Sequence, residues 1–355
     1  MKLTSIDTVQ RLSQALAHDF TLMPLHAPEA PVFLAVAAPT DDGVTGLKPR
    51  LPAGRGMTAR QAMIAAGAEA LELRASLAQN RAGQLARLPR TDGFAMVAAS
   101  DVLSGAEVAV RAQEIYLDCA SVVGEPLAFD ANSTGCAVGL TREAALATAV
   151  WECVERDAVA LWWHGQRRPL ALALDVIDAL QPRLFWWLHQ RERRTMLLDL
   201  TTDIGLPVVA AVSSDSDGRV VAMGSAARPG LADAALAAVT EMVQTEVSIS
   251  LAEEAGDPET LAWIDHAVIQ GQAQFQPTAL SDNAGRAILG LEALVTRLCN
   301  LGHRVLAVEL TLPGDPLPTL RAIIPGLCAM QGRIDTERFA RLCPGAHGPN
   351  LPEPF

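Results

Sequence analysis

Paired carboxylates inside apolar helical text are the feature of this sequence most able to do chemistry. The stretch TREAALATAVWECVERDAVALWW, at 141–163, places Glu152 and Glu155 three residues apart among mostly apolar residues. Residues i and i+3 of a helix share one face, and a helix that is apolar nearly all round is usually buried. A buried carboxylate is costly unless a cation compensates it. The spacing therefore predicts a cation site on this helix.

The same arrangement occurs three times, each time behind a glycine-containing loop. The three pairs are Glu69/Glu72 after Gly54–Gly56, Glu152/Glu155 after Gly135–Gly139, and Glu241/Gln244 after Gly224 and Gly230. Helix N-termini behind such loops favour phosphate, and Mg²⁺ takes oxygen ligands that it commonly shares with phosphates. The three helices together therefore suggest a nucleotide with bound Mg²⁺. A single E-x-x-E pair is most often a solvated helix face, and composition and spacing alone leave that alternative open.

Composition excludes several classes of protein. The chain has 355 residues, of which 50% are hydrophobic and 19% charged, and its net charge is −12. This composition is that of a folded protein, and an acidic chain without basic runs argues against nucleic-acid binding. No apolar run is long enough for a membrane span, and the N-terminus lacks the features of a signal peptide. The six cysteines form no C-x-x-C pair, which predicts a reducing, cytoplasmic setting without disulfides.

Motifs of other enzyme classes are absent from the sequence. It contains no G-x-x-x-x-G-K-[ST], no G-x-G-x-x-G, no G-x-S-x-G and no H-E-x-x-H, so a Walker loop, a serine-hydrolase elbow and a zinc-protease helix are excluded. Prenyl-diphosphate synthases also collect helical carboxylates around Mg²⁺, but they are all-helical. The strand-like text at 207–225 and 304–327 argues against that class.

The predicted elements mix helices and strands without a strict β-α-β order, which favours an α+β fold. A helix is expected from Thr58 to about Gln79, with Thr58 as its N-cap and Gln61 completing a capping box. Further helices are expected at 141–164, 184–194, 230–255 and 286–301. Strands are expected at 31–39, 93–100, 107–118, 195–201, 303–311 and 318–327, and as a hairpin at 206–226. The segment 41–56 is predicted to be a loop, and the domain organisation is predicted as an N-terminal extension at 1–30 followed by one catalytic domain at 31–355.

Four blocks of the sequence, spread over about residues 30–355, resemble the YcaO-domain family. NSTGCAVGLTREAALATAVWECVERDAVALWW matches its S-x-G-x-A-x-G loop and E-x-x-E-R-D helix, and GRGMTARQAMIAAGAEALE resembles its first helix. The hairpin with the following ALAAVTEMVQ resembles a third block, and RVLAVELTLPGDPLPTLRAIIPGL a fourth. The resemblance implies a YcaO-type mixed domain with a non-Walker ATP site, which acts on peptide amides and uses ATP and Mg²⁺.

The resemblance also implies roles for individual residues. The Mg²⁺ ligands would be Glu69, Glu72, Glu152, Glu155 and Glu241. The nucleotide contacts would be Ser133, Arg156, Gln244 and Arg55. The residues expected in catalysis are Glu155, Arg156 and the C-terminal Pro352, Pro354 and Phe355. The three C-terminal residues are included because many azoline-forming members end in an alternating proline tail. Leu140, Ala144 and Leu73 depart from residues frequent in the family, and Arg55 stands where Lys is frequent.

The ERDAVALWW segment and the tail resemble most the azoline-forming cyclodehydratases of thiazole/oxazole-modified peptides. That subgroup converts Cys, Ser or Thr of a ribosomal precursor peptide to thiazoline or oxazoline, often for bacteriocin or antibiotic biosynthesis. The resemblance implies an E1-like or leader-binding partner protein, a flavin-dependent azoline dehydrogenase, and a homodimer within a larger complex. Two alternatives remain: thioamide or amidine formation at the same ATP site, and a degenerate scaffold subunit, for which Leu140 and Ala144 would argue.

Overall fold

The computed structural model describes residues 5–25, 30–40, 51–282, 290–329 and 334–346. The chain divides into two compact units. The first unit comprises Met1–Leu25, Phe33–Cys153 and Val295–Pro325, and the second comprises His26–Val32, Val154–Leu294 and Gly326–Phe355. Helices and antiparallel sheets occur in both units, so the predicted α+β class is confirmed.

The described strands are short and all pair antiparallel. In chain order they are β1 Phe20–Leu25, β2 Phe33–Pro39, β3 Ala53–Gly56, β4 Arg90–Thr91, β5 Phe94–Asp101, β6 Glu107–Arg111, β7 Cys136–Val138, β8 Leu170–Leu172, β9 Arg194–Asp199, β10 Val208–Ser214, β11 Ala222–Ala227, β12 Leu306–Glu309 and β13 Thr319–Ile323. The first unit contains a sheet of order β1-β2-β3 and a sheet of order β4-β5-β12-β13-β7, with β6 on β5. The second unit contains the sheet β11-β10-β9-β8.

The described helices include the three that carry the carboxylate pairs, α2, α5 and α7. In chain order the helices are α1 Ser5–Leu16, α2 Ala59–Ser76, α3 Ala82–Leu85, α4 Cys119–Val123, α5 Arg142–Trp163, α6 Pro182–Gln190, α7 Leu231–Ala255, α8 Pro258–His266, α9 Leu291–Asn300 and α10 Glu337–Leu342. Helix α5 begins in the first unit and ends in the second.

Local capping explains where the long helices begin and end. Thr58 accepts a hydrogen bond from Gln61 N–H, and Gln61 Oε1 accepts one from Met57 N–H, so the predicted capping box forms with the back-bond one residue earlier than in the standard motif. Thr141 Oγ1 accepts from Ala144 N–H at the start of α5. Helix α7 ends at Gly256, whose φ of 70° is left-handed, as expected for a helix C-terminus.

Three sequence-based expectations about the elements need correction. Part of the predicted loop 41–56 is strand β3, which pairs with β2; residues 41–50 lie outside the described part of the chain. No strand was expected in the N-terminal extension 1–30, but strand β1 lies there and pairs with β2 along its whole length. The predicted strand 107–118 ends at Arg111 and continues as a short 3-10 turn.

A glycine brings each acid-bearing helix against the strand that precedes it. A Cβ at Gly54 would collide with the backbone of Ala62 and Ala66 in α2. A Cβ at Gly224 would collide with the backbone of Ala238 and Met242 in α7 in the same way. At α5 the equivalent position is Gly139, where a Cβ would meet Ala145. These glycines serve close helix–strand packing, which is a reason for glycine in a strand.

Apolar residues fill each unit separately. In the first unit Leu12 and Leu16 of α1 pack with Leu71 of α2 in one fully buried cluster. In the second unit Trp163 stacks on Trp263 with ring centroids 6.3 Å apart. All six cysteines are free thiols. None of the described helices combines the length and apolar character that crossing a membrane requires.

Candidate functional site

The first carboxylate of each pair accepts a hydrogen bond from the strand that precedes its own helix. The donor lies sixteen or seventeen residues earlier in the chain in every case. The three bonds, each 3.2 Å long, run from Ala53 N–H to Glu69, from Gly135 N–H to Glu152 and from Ser225 N–H to Glu241. The weak internal regularity of the sequence is therefore a repeated strand–glycine–helix unit, in which the first carboxylate has the same backbone role each time.

The second carboxylate of the first two pairs accepts a hydrogen bond from the strand of the next repeat. Glu72 on α2 accepts from Val138 N–H at 2.7 Å, at the end of β7. Glu155 on α5 accepts from Ala227 N–H at 3.2 Å and from Ser225 Oγ at 2.7 Å, both in β11. Each repeat is thus hydrogen-bonded to its successor through a carboxylate.

Glu72 lies where negative charge is poorly compensated. Burial raises its pKa well above the ordinary value, the neighbouring Glu69 raises it further, and Glu152 adds to the rise. The hydrogen bond from Val138 N–H opposes these effects but does not offset them. A carboxylate in this state gains stability from a cation placed beside it.

Glu155 is in a similar state within the second unit. It is buried, with 6% of its surface exposed. Burial raises its pKa, Arg156 opposes the rise with an Nη1 to Oε1 distance of 3.8 Å, and Glu241 adds to the rise. Ser225 and Arg228 also favour the charged form. Arg228 was not predicted; the signal available in the sequence was a cation directly after β11, the strand that donates to Glu155.

Asp157, also not predicted as a site residue, differs from Glu155 although it lies two residues away on α5. It is fully buried, and its carboxylate accepts two hydrogen bonds from Arg338 Nε, at 2.9 and 3.0 Å. Cys328 N–H donates a further bond at 2.9 Å. Arg338 also donates to Asp203 at 2.6 Å. The aspartate of the E-x-x-E-R-D motif therefore has a complete set of internal partners and a structural role.

The loop before α5 is held by its own backbone and by a buried arginine. Ser133 is exposed, and its carbonyl accepts from Cys136 N–H at 3.0 Å. Asn132 Oδ1 accepts from Thr134 N–H at 3.0 Å, and Gly135 has a left-handed φ of 77°. Arg321, which is 4% exposed, donates to the carbonyl oxygen of Asn132 at 2.6 Å. The predicted phosphate loop is thus fixed at its base and exposed at Ser133.

The remaining predicted residues are placed as follows. Arg55 is half-buried on β3, where it pairs in register with Leu34, and Gln244 is half-buried on α7, one turn after Glu241. The departures from the family pattern, Leu140 and Ala144, are both exposed at the start of α5. The predicted catalytic residues Pro352, Pro354 and Phe355 lie outside the described residues.

The donor chemistry of these residues fits Mg²⁺. The side chains concerned are carboxylates, which are the hard oxygen ligands that Mg²⁺ prefers. Within the described ranges, no three histidine, cysteine or acidic side chains form a ready metal cage. Nucleotide-bound Mg²⁺ typically takes one or two carboxylates and completes its shell with phosphates and water. Glu155, which is buried, and Glu72, which is half-buried, each lie beside another carboxylate and are the residues whose state most favours such a cation.

Comparison with known proteins extends these observations. A relative from Rhizobium leguminosarum bv. trifolii, an uncharacterized protein in the tfuA 3' region, is 29% identical over 257 residues. That match covers 64% of this chain and 59% of the relative, so the chain spans less than two thirds of the relative's length.

Two solved structures share the fold. A heterocyclase in complex with substrate and cofactor superposes with a TM-score of 0.79 at 20% identity, covering 95% of this chain and 54% of that one. The YcaO protein of Methanopyrus kandleri, bound with AMPPCP and Mg²⁺, superposes with a TM-score of 0.71 at 21% identity, covering 99% of this chain and 96% of that one. At these identities the two structures establish the fold alone.

The family profile gives the assignment. The YcaO cyclodehydratase profile, described as ATP- and Mg²⁺-binding, matches residues 77–328. The matched span contains Glu152, Glu155 and Glu241 but begins after α2, which carries Glu69 and Glu72. The predicted dependence on ATP and Mg²⁺ agrees with this description. With most of its length matched, the chain belongs to the YcaO family of ATP- and Mg²⁺-binding enzymes.

Proposed function

We propose that this protein is an ATP- and Mg²⁺-dependent peptide cyclodehydratase that converts Cys, Ser or Thr of a ribosomal precursor peptide to thiazoline or oxazoline. The observation that carries the proposal is the pair of under-compensated carboxylates, Glu72 and Glu155, held by backbone N–H groups in a repeated strand–glycine–helix unit. The name of a structural neighbour, a heterocyclase bound to substrate and cofactor, supports the same reaction class.

We assign separate roles to individual residues according to their positions. We assign Glu69, Glu72, Glu152, Glu155 and Glu241 to Mg²⁺ binding, directly or through water. Bound Mg²⁺ supplies charge neutralisation for the phosphates and for the transferred phosphoryl group. The exposed Ser133 and the half-buried Gln244, Arg156 and Arg55 contact the nucleotide. Arg156 also compensates Glu155, which it approaches to 3.8 Å.

The proposed reaction has three steps, which are addition, phosphoryl transfer and elimination of phosphate. The thiol or hydroxyl of the substrate side chain adds to the preceding backbone carbonyl carbon and forms a hemiorthoamide. Its oxygen then attacks the γ-phosphorus of ATP, and ADP leaves. The C–O bond breaks, phosphate departs with the oxygen, and loss of the amide proton forms the C=N bond of the azoline. The protein positions these groups and stabilises the transferred phosphoryl group.

A second chemistry, thioamide or amidine formation, uses the same ATP site with another nucleophile. The two chemistries leave different products. Water loss at Cys, Ser or Thr supports ring formation, and replacement of oxygen by sulfur in a backbone amide supports thioamidation.

The proposal includes partners and a setting. We expect an E1-like or leader-binding partner to present the precursor, a flavin-dependent azoline dehydrogenase to oxidise the product, and a homodimer within that assembly. The free thiols fit a reducing compartment such as the cytoplasm. We also propose that 31–355 is the catalytic domain, with the Pro352, Pro354 and Phe355 tail approaching the substrate.

The decisive experiment combines the purified protein with its partner, precursor peptide, ATP and Mg²⁺, and measures peptide mass and phosphate release together. The expected result is a loss of about 18 Da for each modified residue, the mass of one water molecule, with one phosphate released per ring. A gain of about 16 Da, the mass difference between sulfur and oxygen, favours thioamidation when a sulfide source is present. An unmodified peptide with no phosphate release would support a degenerate scaffold subunit instead.

A further inference from the structure

We propose that Arg321 is a positioning residue for the nucleotide, because it holds the peptide group between Asn132 and Ser133 with the Ser133 N–H turned toward the bound phosphates. Arg321 lies on β13, in register with Cys136 at the start of β7, the strand that follows the loop 132–135. The proposal rests on the proposed function in one respect, which is that this loop binds the nucleotide.

The Arg321 guanidinium contacts the first carbonyl group of the loop. Its Nη2 donates a hydrogen bond to the carbonyl oxygen of Asn132 at 2.6 Å, and its Nη1 donates to that of Ile115 at 2.7 Å. None of the described peptide bonds is cis, and in a trans peptide the C=O and N–H groups point in opposite directions. The Asn132 carbonyl faces the buried guanidinium, so the N–H of Ser133 points away from it, and Ser133 itself is exposed.

The orientation of this peptide group matters for an anion. Backbone N–H groups that face outward from a loop bind phosphate oxygens. A carbonyl group that accepts a hydrogen bond from a charged donor also polarises the N–H of the same peptide group, which strengthens that N–H as a donor. Arg321 therefore acts on the phosphates through the Ser133 N–H and does not need to touch them.

The other end of the loop is held on the same strand. Ala322 N–H donates to the carbonyl oxygen of Gly135 at 2.7 Å, and Glu152 accepts from Gly135 N–H at 3.2 Å. A Cβ at Gly135 would collide with the carbonyl oxygen of Ala322. Both ends of the loop are thus fixed on β13, and Arg321 fixes the end that carries Ser133.

The charge of Arg321 is the independent observation that points to an anionic ligand. Its Nε is buried without a hydrogen-bond partner, and within the described ranges no carboxylate forms an ion pair with it. Burial lowers its pKa, and Cys136, Cys153, Glu152 and Glu114 oppose this only in part. A guanidinium remains charged in proteins, and a buried charge without a counter-charge is costly. Phosphates bound at the adjacent loop supply that counter-charge.

Arg81 is a matched buried arginine of the same unit. It is 8% exposed, its Nε donates to the carbonyl oxygen of Ala75 at 3.2 Å, and its Nη2 donates to that of Leu310. Among the described contacts, it makes no hydrogen bond to the loop 132–135. Its loss removes a buried positive charge and hydrogen bonds to two carbonyl groups, as the loss of Arg321 does, but leaves the peptide group before Ser133 in place.

The experiment measures binding of Mg-AMPPCP by calorimetry, without peptide, to the wild type, Arg321→Gln and Arg81→Gln. Arg321→Gln should bind at least about tenfold more weakly, because a charge-assisted hydrogen bond that orients the loop is lost. Arg81→Gln should stay within about twofold of the wild type, since surface and remote changes rarely couple to a site. Circular dichroism checks that both variants are folded.

A double-variant cycle tests whether Arg321 acts through the loop. Ser133→Ala should weaken binding in the wild type but have little further effect in Arg321→Gln, because residues that act through one contact are not additive. If a glutamine variant does not fold, Arg321→Lys and Arg81→Lys replace the pair. Arg321→Lys keeps the charge but not the fork that spans two carbonyl groups, so it should weaken binding and Arg81→Lys should not.

Two results would overturn the assignment of Arg321. One is equal weakening of Mg-AMPPCP binding by the Arg321 and Arg81 variants, and the other is an additive effect of Arg321→Gln and Ser133→Ala. Either result with normal dehydration of the precursor by the wild type would leave the proposed function standing. A dehydration assay that fails while Arg321 and Ser133 remain coupled in nucleotide binding would contradict only the proposed function.

Discussion

Glu155 and Asp157 lie two residues apart on α5 and are both buried, yet their surroundings are opposite. Asp157 is matched by the buried guanidinium of Arg338 and by Cys328 N–H. Glu155 accepts hydrogen bonds from Ser225 Oγ and Ala227 N–H and pairs with Arg156 at 3.8 Å, but it also lies beside the like charge of Glu241. The two acids of one motif therefore have different roles. Asp157 has a complete set of internal partners and stabilises the fold, whereas Glu155 does not and gains stability from an external cation.

The largest effect is expected from removing Arg338, the buried cation that pairs with Asp157. Arg338→Met should lower the free energy of unfolding by about 3–5 kcal/mol, because Asp157 is then left buried without its counter-charge. Chemical denaturation monitored by circular dichroism measures this loss. The double variant Arg338→Met/Asp157→Leu is the control and should recover most of the stability. A mild effect of the single variant would contradict the structural role of the pair.

A smaller loss, confined to activity, is expected at Glu155, the carboxylate that lies beside the like charge of Glu241. Glu155→Gln should reduce peptide-dependent ATP hydrolysis at least about a hundredfold, since the amide cannot supply the negative charge that Mg²⁺ requires. The amide oxygen can still accept from Ala227 N–H, so the fold should remain intact. Glu254→Gln, at an exposed acid in the last turn of α7, is the control and should be active. Normal turnover of Glu155→Gln would contradict the Mg²⁺ assignment.

The next effect has the opposite sign. Without nucleotide, Glu72→Gln should raise the free energy of unfolding by about 1 kcal/mol and the melting temperature by about 2–4 °C, because it removes a half-buried charge repelled by Glu69 and Glu152. Differential scanning fluorimetry with and without Mg-ATP measures both states. Stabilisation by Mg-ATP should be smaller in the variant. A less stable ligand-free variant would show that the carboxylate is already satisfied.

The smallest effects are expected in the pH dependence of stability, where the contributions of Glu72 and Asp203 should have opposite signs. The pKa of Glu72 is raised, so the folded state holds the proton longer than the unfolded state, and stability falls as pH rises above the ordinary value of 4.5. Hydrogen bonding to Arg338 lowers the pKa of Asp203, so its contribution is present above the ordinary value of 3.8 and is lost as pH falls further.

Unfolding midpoints of the wild type, Glu72→Gln and Asp203→Asn between about pH 3 and 7 test this difference, since ordinary carboxyl pKa values lie within that interval. The gap between the wild type and Glu72→Gln should widen with pH, and the gap to Asp203→Asn should close in acid. Parallel curves for all three proteins would contradict the comparison.

The sequence predicted the elements in which local pattern and tertiary role agree. Helices α2, α5 and α7 were expected because glycine loops precede long apolar segments, and the structure has them with nearly the expected bounds. Strand β3 was not expected, because Gly54 and Gly56 are typical of loops. Their actual role is close packing against α2, which only the folded chain shows.

The partners of the site residues were harder to predict. Asp157 and Arg338 are separated by 181 positions, and nothing local to either indicates the other. The donors to Glu69, Glu152 and Glu241 lie at a nearly constant distance in the chain, but that constancy has meaning only once each strand is seen beside its helix.

The hydrogen bonds between strand amides and carboxylates also make the backbone a reporter of the site. The amide protons of Val138 and Ala227 are donated to Glu72 and Glu155, so their chemical shifts depend on the charge of those groups. When a carboxylate is protonated, the hydrogen bond from its amide weakens, and when the carboxylate turns toward a metal ion, the amide loses that acceptor. Spectra of an ¹⁵N-labelled sample would then follow the ionisation and metal loading of each repeat separately, with no probe attached to the site.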